Sequence, residues 1–504
     1  MKKRIPRILL AAGASGSGKT LLTCGLLQVL VNRGIKTVSF KCGPDYIDPM
    51  FHTQVIGTKS RNLDTFFTGE DITRSLLVKN SADCEIAVME GVMGFYDGVA
   101  GTTTLASAYD LARVTDTPVI LIVNSKGMSV SLAAYIKGFL EYKKDSRIKG
   151  VIFNQMSPML YPRMKKLVEE ELGIKVLGYV PRVEDCVIES RHLGLILPEE
   201  IPELKGRLLK LAEVLENSLE IEEILKLANE APVLEYPLLE KTDERSLCQP
   251  AGTSAIAEKV KREVDALTEM SQVYTWKSPK KLRIGLAKDE AFCFFYEDNL
   301  DLLRSMGAEL VAFSPVHDGH LPENLDGLLL YGGYPELNGK ALEENLSIRQ
   351  EIAAAIKDGM PCLAECGGFM YLHESMEGMD GKFYEMAGVI PGKVWRTPRL
   401  TRFGYITLKQ NQGISHGKQE TAILGESDLG VSPAHEFHYF DSDNCGTVFH
   451  ASKPESKRGW DCMHGSDHLL AGFPHLYYYA NPKIPQAFLK KCLEYKELQE
   501  LSTY

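Results

Sequence analysis

The sequence predicts an α/β protein of two domains, the first of them built on a doubly wound parallel sheet. The chain has 504 residues, which is more than one compact core normally accommodates. Short apolar runs alternate with helix-like segments over residues 1–225, as is typical of a parallel sheet covered on both faces. The alternation stops in a charged stretch at 226–280 and resumes at Leu282. We therefore predict domains at 1–225 and 281–498 and a linker at 226–280.

The strand candidates of the first domain are short apolar runs, several of them rich in β-branched residues. They are Ile8–Ala12, Thr37–Lys41, Glu85–Met89, Pro118–Val123, Gly150–Phe153 and Val176–Tyr179. Thr20–Val31 has the composition of a helix and follows the first strand directly. Within the linker, Glu258–Met270 is predicted as one amphipathic helix.

The second domain repeats the alternation and then changes character. Its predicted strands are Leu282–Ala287, Glu309–Phe313, Gly327–Tyr331 and Pro361–Ala364. Its predicted helices are Asn299–Met306, Ile348–Lys357 and Pro485–Glu497. After residue 383 the pattern becomes more β-like and irregular.

Composition excludes several classes of protein. The formal net charge of -10 leaves no broad basic surface, so we expect no nucleic-acid partner. No apolar run reaches the length of a membrane span, and we expect no membrane partner. The basic start and apolar run Ile8–Ala12 lead straight into a glycine loop, which favours a buried strand over an export signal. The eleven cysteines form no CxxC pair, which suggests reduced thiols and a cytoplasmic location.

Residues Gly13–Thr20, Gly-Ala-Ser-Gly-Ser-Gly-Lys-Thr, match the phosphate-binding pattern GxxxxGK[ST] between a predicted strand and a predicted helix. Gly13, Gly16 and Gly18 let backbone N–H groups close around phosphates, and the helix N-terminus adds partial positive charge. Lys19 would reach the β- and γ-phosphates, and the Thr20 hydroxyl would bind Mg²⁺. The sequence therefore predicts an ATP site.

Three acidic residues are placed to complete that site. Asp45 and Asp48 follow the second strand directly, and carboxylates on such a loop suit Mg²⁺ and a substrate phosphate. Glu90 comes at the end of the third strand, where a Walker-B acid stands. We predict Thr20, Asp45 and Glu90 as the metal ligands.

A second reactive centre is predicted around Cys366. The stretch Pro361–Leu372 reads as strand, tight turn and helix, and a thiol at such an elbow lies near a helix N-terminus that lowers its pKa. Gly332 and Gly333, after the preceding strand, could supply N–H donors to an oxyanion. His475 is the best-placed candidate for the base that activates the thiol.

His435 and His438 form a further group, three residues apart in a β-like region. A zinc-binding HExxH helix needs a spacing of four, so this pattern argues against such a site.

Taken together, these motifs resemble the cobyrinic acid a,c-diamide synthase family, whose glutaminase part is a class I-type glutamine amidotransferase. The matching pieces run in order over nearly the whole chain. They are Gly13–Thr20, Lys41–His52, Ser60–Asp64, Glu90–Gly98, Arg191–Leu195, Gly332–Glu336, Ala364–Gly368, Phe403–Tyr405 and His435–Tyr439.

The resemblance implies a dethiobiotin-synthetase-like first domain in which ATP phosphorylates acetate carboxylates of a corrin-type macrocycle. Ammonia released from glutamine at Cys366 would then displace phosphate and leave an amide. By matched position, Lys41 would stabilise the transferring phosphoryl group and Asn154 would contact the adenine. The stretch His435–Tyr439 would line the macrocycle or an interdomain face. The implied small molecules are ATP, Mg²⁺, glutamine and the macrocycle; the oligomeric state stays open.

The sequence departs from the usual class I elbow, because Ala364 and Met370 stand where glycine and glutamine are expected, a difference that the corrinoid branch tolerates. The Pro-Glu pair that follows the histidine in class I enzymes is replaced by Leu476 and Tyr477, so no third triad residue is visible. Other macrocycles, nickel-sirohydrochlorin or hydrogenobyrinate, would be amidated by the same chemistry. Cobyric acid synthase and a nucleotide-switch P-loop ATPase are further alternatives.

Overall fold

The computed structural model describes residues 1–183, 203–237, 273–411 and 422–502, with short pieces between 190 and 201. The chain divides into two compact units, Met1–Leu238 and Leu239–Tyr504. The predicted helix Glu258–Met270 and the side chains of Arg191–Leu195 lie outside the described residues. The domain limits drawn from the sequence therefore stay a prediction. Within the described parts, no helix is long and apolar enough to cross a membrane.

The first unit is built on a seven-stranded sheet in which every pairing is parallel, which confirms the predicted α/β fold. From edge to edge the strands are Lys59–Leu63, Thr37–Cys42, Ile86–Glu90, Arg7–Ala12, Val119–Asn124, Ile148–Asn154 and Lys175–Val180. The strand Arg7–Ala12 is buried at all six positions. Such continuous apolar burial is what a strand covered on both faces requires.

Helices of the first unit alternate with these strands. They are Lys19–Asn32, Ile47–Met50, Thr65–Asn80, Ala108–Val114, Ser131–Tyr142, Tyr161–Leu172, Leu204–Ser218 and Ile221–Asn229. Gly25 lets the first of them pack closely on Leu204–Ser218, since a Cβ at Gly25 would lie 2.5 Å from Leu215 Cδ1. A short antiparallel pairing of Lys2–Lys3 with Leu234–Glu235 closes the unit.

The strand order positions the site. Arg7–Ala12 lies between Ile86–Glu90 and Val119–Asn124; the strands formed before Val119 lie on one side of it and the later strands on the other. Ligands of open α/β sheets bind at the carboxyl ends of the strands where the order reverses. The loop Gly13–Thr20 leaves the sheet at this edge.

The second unit is built on a six-stranded sheet whose first five strands are parallel. In order they are Ala308–Phe313, Leu282–Ala287, Gly327–Leu330, Cys362–Glu365 and Leu469–Gly472, and His464–Gly465 adds an antiparallel edge. The helices of this unit are Glu297–Ser305, Gly339–Glu344, Leu346–Lys357, Gly367–Tyr371 and Lys483–Ser502.

Two smaller sheets account for the β-like pattern after residue 383. One contains Phe383–Glu385, His373–Glu377, Ile390–Arg396 and Phe440–Ser442. The other is antiparallel and contains Gly459–Cys462, Phe449–Ser452, Arg402–Gln410, Val431–His438 and His475–Leu476. Through its last strand this sheet brings His475 into the second unit's reactive centre.

Candidate active sites

The loop Gly13–Thr20 has the backbone that phosphate binding needs. Gly16 and Gly18 have positive φ angles of 72° and 85°, and Gly18 precedes the helix Lys19–Asn32. Only glycine adopts this left-handed conformation readily. The Lys19 ammonium donates to the carbonyl oxygens of Ala14 at 3.0 Å and Met93 at 2.6 Å. It therefore lies over the loop where phosphate oxygens are expected.

Four predicted residues meet at the carboxyl edge of the first sheet. The Thr20 hydroxyl donates to Glu90 Oε1 at 2.6 Å and lies 3.3 Å from Asp48 Oδ2. Lys41 Nζ lies 2.8 Å from Glu90 Oε1 and also forms an ion pair with Asp48. Lys41 and Glu90 are opposite each other on neighbouring parallel strands, so the sheet register sets this contact.

Burial and mutual charge tune these groups. Burial lowers the pKa of Lys41, but the charges of Asp48 and Glu90 outweigh it and raise that pKa well above its ordinary value. Burial opposes ionisation of Glu90, yet Lys41 and then a hydrogen bond from His52 bring the pKa of Glu90 below its ordinary value. Burial and the neighbouring carboxylates raise the pKa of Asp48. Lys41 and Glu90 are thus the fixed charges, and Asp48 takes up a proton most readily.

The Lys19 ammonium is easier to deprotonate than an ordinary lysine. Burial, followed by the positive charge of Lys41, lowers the pKa of Lys19 to about 8. The negative charge of a bound phosphate would stabilise the Lys19 ammonium and raise its pKa again.

His52 belongs to this cluster, although the sequence analysis assigned it no role. Its imidazole is fully buried, with Nε2 3.3 Å from Glu90 Oε2 and Nδ1 3.4 Å from the Ser60 hydroxyl. It stands in a π-helical turn, Phe51–Val55, a rare conformation found often at functional sites. The only signal in the sequence was its place at the end of the matched stretch Lys41–His52.

Asp45 and Asn154 hold backbone in place. Asp45 Oδ1 accepts from the amides of Ile47 at 2.9 Å and Asp48 at 3.2 Å, and so begins the short helix Ile47–Met50. Asn154 Nδ2 donates to the Ser17 carbonyl at 2.9 Å and so supports the phosphate loop. The structure brings both residues to the site's edge, while Asp48 makes the contacts with Thr20 and Lys41.

Cys366 forms a strained elbow in the second unit. Its φ and ψ angles are 48° and -105°, between the strand Cys362–Glu365 and the helix Gly367–Tyr371. A non-glycine residue with positive φ costs free energy, so the surrounding structure must hold Cys366 in this conformation. Gly368 is required by the turn, because a Cβ there would lie 1.9 Å from the Leu330 carbonyl oxygen. The strand, tight turn and helix follow one another as the sequence predicts, but the Cys366 side chain is buried.

Gly332 lies between Cys366 and His475. A Cβ at Gly332 would be 2.7 Å from His475 Cε1 and 3.4 Å from Cys366 Cβ, so the two side chains flank one glycine. The Gly333 amide nitrogen lies 3.1 Å from where a Cβ of Gly367 would stand. The structure therefore brings the side chains of Cys366 and His475 together at Gly332, with the Gly333 amide nitrogen beside Gly367.

Glu365, which the sequence analysis did not select, lies behind His475. Its Oε2 is 3.9 Å from His475 Nδ1 and accepts the Leu476 amide at 3.2 Å. Glu365 and His475 are almost fully buried. The sequence gives no sign of this acid after His475, where Leu476 and Tyr477 stand.

Burial holds this centre uncharged. The pKa of the Cys366 thiol is expected from the sequence to be lowered by the helix N-terminus, and that expectation is wrong: burial raises this pKa, and the negative charge of Glu336 raises it further. Burial lowers the pKa of His475 to about 3, with a smaller effect of His438. It also raises the pKa of Glu365 to about 8.

His435 and His438 stand on the strand Val431–His438, not on a helix. His435 is opposite His475 in the sheet, with ring centroids 6.1 Å apart, whereas the His438 ring stacks on Phe473. Across the described residues, no three His, Cys, Asp or Glu side chains surround a common metal position.

Comparisons with known proteins agree with this division. Residues 8–195 match the CobQ/CobB/MinD/ParA nucleotide binding domain, and residues 283–478 match the CobB/CobQ-like glutamine amidotransferase domain. The chain is therefore an ATP-dependent, glutamine-using amide ligase in which a P-loop nucleotide-binding domain and a glutamine amidotransferase domain share one polypeptide.

Similarity over the full length identifies the family. A cobyrinate a,c-diamide synthase of Caldanaerobacter subterraneus subsp. tengcongensis is 35% identical, covering 96% of this chain and 98% of its own. Those of Priestia megaterium and Thermoplasma volcanium are each 34% identical, covering 96% and 99% of this chain and 97% and 100% of their own. This chain belongs to the cobyrinate a,c-diamide synthase family.

Proposed function

We propose that the chain amidates the a and c acetate carboxylates of cobyrinic acid in cobalamin biosynthesis, using ATP and glutamine. The observation that carries the proposal is that cobyrinate a,c-diamide synthases of other organisms match the chain across both units. The two clusters of side chains, around Glu90 and around Cys366, supply the chemistry for the two halves of the reaction. Following the expectation from the cysteines, we place the reaction in the cytoplasm.

In the glutaminase half, Cys366 gives its proton to His475 and its sulfur attacks the carboxamide carbon of glutamine. A C–S bond forms, and the amides of Gly333 and Gly367 are the proposed donors to the oxyanion. The C–N bond then breaks as the nitrogen takes the proton from His475, and ammonia leaves. Water hydrolyses the remaining thioester, which frees glutamate and restores the thiol.

In the synthetase half, a carboxylate oxygen of the macrocycle attacks the γ-phosphorus of ATP, and ADP leaves. Ammonia then attacks the carbon of the acyl phosphate, and phosphate leaves as the amide forms. Lys19 and the helix N-terminus hold the phosphates, and Lys41 offsets charge on the transferring group. Asn154 keeps the loop in shape through Ser17. Two rounds consume two ATP and two glutamines.

The residues around Glu90 fit Mg²⁺. Thr20 and Glu90, with Asp48 beside them, present a hydroxyl and carboxylate oxygens, which hard cations prefer. Mg²⁺ keeps several waters and phosphate oxygens as ligands, so few protein groups are needed. When bound, it would neutralise charge on the β- and γ-phosphates. The sequence also predicts Asp45 as a ligand, and that assignment stays a prediction.

The experiment that tests the proposal is mass spectrometry of products formed from cobyrinic acid, ATP, Mg²⁺ and glutamine. Two carboxylate-to-amide mass steps are expected. Parallel reactions receive hydrogenobyrinic acid or nickel-sirohydrochlorin. Turnover of one of these in place of cobyrinic acid would reassign the substrate, and amidation of none of the three would refute the proposal.

A further inference from the structure

The carboxylate of Glu365 is fixed beside the imidazole of His475. Its Oε2 accepts the amide of Leu476, the residue directly after His475, at 3.2 Å. The same oxygen lies 3.9 Å from His475 Nδ1. Glu365 Oε2 thus binds the backbone of Leu476 and also faces the imidazole ring of His475.

The position follows from the elbow. Glu365 is the last residue of the strand Cys362–Glu365 and directly precedes Cys366, and this strand pairs with Leu469–Gly472, just upstream of His475. The nucleophile and this acid therefore come from adjacent positions of one turn, and the base comes from the chain that leaves the neighbouring strand. A change in the angle of the turn would move both together.

We infer that Glu365 is the positioning residue that orients His475 and stabilises its imidazolium during glutamine hydrolysis. The inference rests on the proposed glutaminase half. When His475 accepts the Cys366 proton, a positive charge forms in a fully buried place, where an unpaired ion is costly. The carboxylate facing Nδ1 offsets that charge and holds the ring so that the other nitrogen serves the thiol. In class I enzymes the acid follows the histidine; here Leu476 and Tyr477 cannot supply it.

The protonation state of Glu365 then determines how the rate of glutamine hydrolysis depends on pH. Because burial raises its pKa to about 8, the carboxylate form grows as the pH rises through that value. Other titratable groups around Cys366, His475 and Glu365 are His435, His438, Glu336, Glu436, Tyr331 and Tyr478. Burial lowers the pKa of His435 and raises those of the two tyrosines, so these three stay uncharged near neutral pH.

The decisive variant is Glu365→Gln in the full chain. Glutamine keeps the shape and an acceptor for the Leu476 amide but cannot ionise, so its effect isolates the charge. We expect the kcat for glutamate release to fall about 10- to 100-fold with little change in the KM for glutamine. Amidation driven by added ammonia should be unchanged. The rise of kcat with pH near 8 should be present in the parent chain and absent from the variant.

Two further variants complete the test. Glu374→Gln, at an exposed carboxylate that accepts the Gly392 amide, is the matched control and should behave as the parent chain. Glu365→Asp keeps the charge and should retain the pH-dependent rise with a smaller loss. If Glu365→Gln does not fold, judged by circular dichroism, the profile of Glu365→Asp decides.

A Glu365→Gln enzyme with the parent kcat and pH profile would overturn the inference, as would a folded Glu365→Asp enzyme without the rise. Failure of the proposed function looks different. In that case the parent chain itself would release no glutamate from glutamine, or would release it and amidate no macrocycle.

Discussion

Lys41 and Glu90 form a buried ion pair, with Nζ and Oε1 2.8 Å apart on neighbouring parallel strands. Asp48 contacts the same ammonium from the short helix Ile47–Met50. One cation therefore stands between two carboxylates in a place that water hardly reaches. A buried ion stripped of its partner costs several kcal/mol, so this cluster is sensitive to the loss of any member.

Lys41→Met should destabilise the first unit by about 3–5 kcal/mol, because Glu90 and Asp48 lose their common partner. Without Lys41, the pKa of Glu90 in the folded state rises above its unfolded value, and the pKa of Asp48, which is already raised, rises further. Stability from such groups is present at low pH and is lost as the pH rises through the raised values, so the deficit should grow between about pH 5 and pH 8. Urea unfolding at the two pH values measures it, with the exposed Lys137→Met as control. An equal deficit at both would contradict this account.

Glu90→Gln should lower ATP-dependent amidation about 100-fold, since it removes the fixed negative charge beside Thr20. Glutamate release by the second unit should continue. Glu85→Gln is the matched control, as Glu85 is exposed and accepts the Lys36 amide just before the same strand. Amidation is followed by mass spectrometry. A Glu90→Gln enzyme with parental amidation rates would remove Glu90 from the ATP site.

Asp48→Asn and Asp45→Asn distinguish the roles of the two acids, of which the sequence analysis predicts only Asp45 as a metal ligand. Asp48 contacts Thr20 and Lys41, so its loss of charge should lower ATP-dependent turnover by at least about 10-fold. Asparagine at 45 keeps the acceptor for the amides of Ile47 and Asp48, so a smaller loss is expected. Titration of turnover with Mg²⁺ compares them. A greater loss or a larger Mg²⁺ requirement in Asp45→Asn would make Asp45 the metal ligand.

Cys366→Ala should abolish glutamine-driven amidation and leave ammonia-driven amidation intact, because only the nucleophile is removed. Cys362→Ala is the natural comparison. Cys362 is buried on the strand that leads to the elbow, and its pKa is raised by burial. The Cys362→Ala enzyme should keep glutamine-driven amidation. Glutamine use that persists in Cys366→Ala would instead favour a nucleotide-switch ATPase.

Gly332→Ala should impair the glutaminase half without changing any titratable group. The added methyl would meet His475 Cε1 at 2.7 Å, so the ring must shift away from Cys366. We expect at least about a 10-fold loss of glutamate release, since small displacements of catalytic groups are costly. Gly319→Ala, where a Cβ meets nothing within 4 Å, should be neutral. Parental glutamate release by Gly332→Ala would contradict the arrangement of thiol, glycine and imidazole.

Signals within short stretches of the sequence made much of the fold and of the two candidate sites predictable. The phosphate loop is contiguous, and Glu90 could be placed because a strand end is visible in the sequence. The strand Lys59–Leu63 was missed because its residues, Lys-Ser-Arg-Asn-Leu, are mostly polar and give no apolar run. His52 was missed because its partner Glu90 is distant in the sequence and joins it only through the sheet.

Glu365 illustrates a second reason why a residue of the site was not predicted from the sequence. A carboxylate next to a nucleophile in sequence indicates no partner by itself. The partner, His475, is distant in the sequence and lies in a strand of the antiparallel sheet. Asp45 and Asp48 differ for a subtler reason. A pair of acids three apart on a loop gives no indication of which one turns toward backbone amides.

The burial of Cys366 also affects how readily its thiol reacts with oxidants. Thiolates, rather than thiols, react with peroxides and electrophiles. At rest the centre holds a protonated sulfur and an uncharged imidazole, so it reacts slowly with oxidants and with glutamine. The Cys366 sulfur becomes a nucleophile only when its proton is removed, which has to happen in each catalytic cycle.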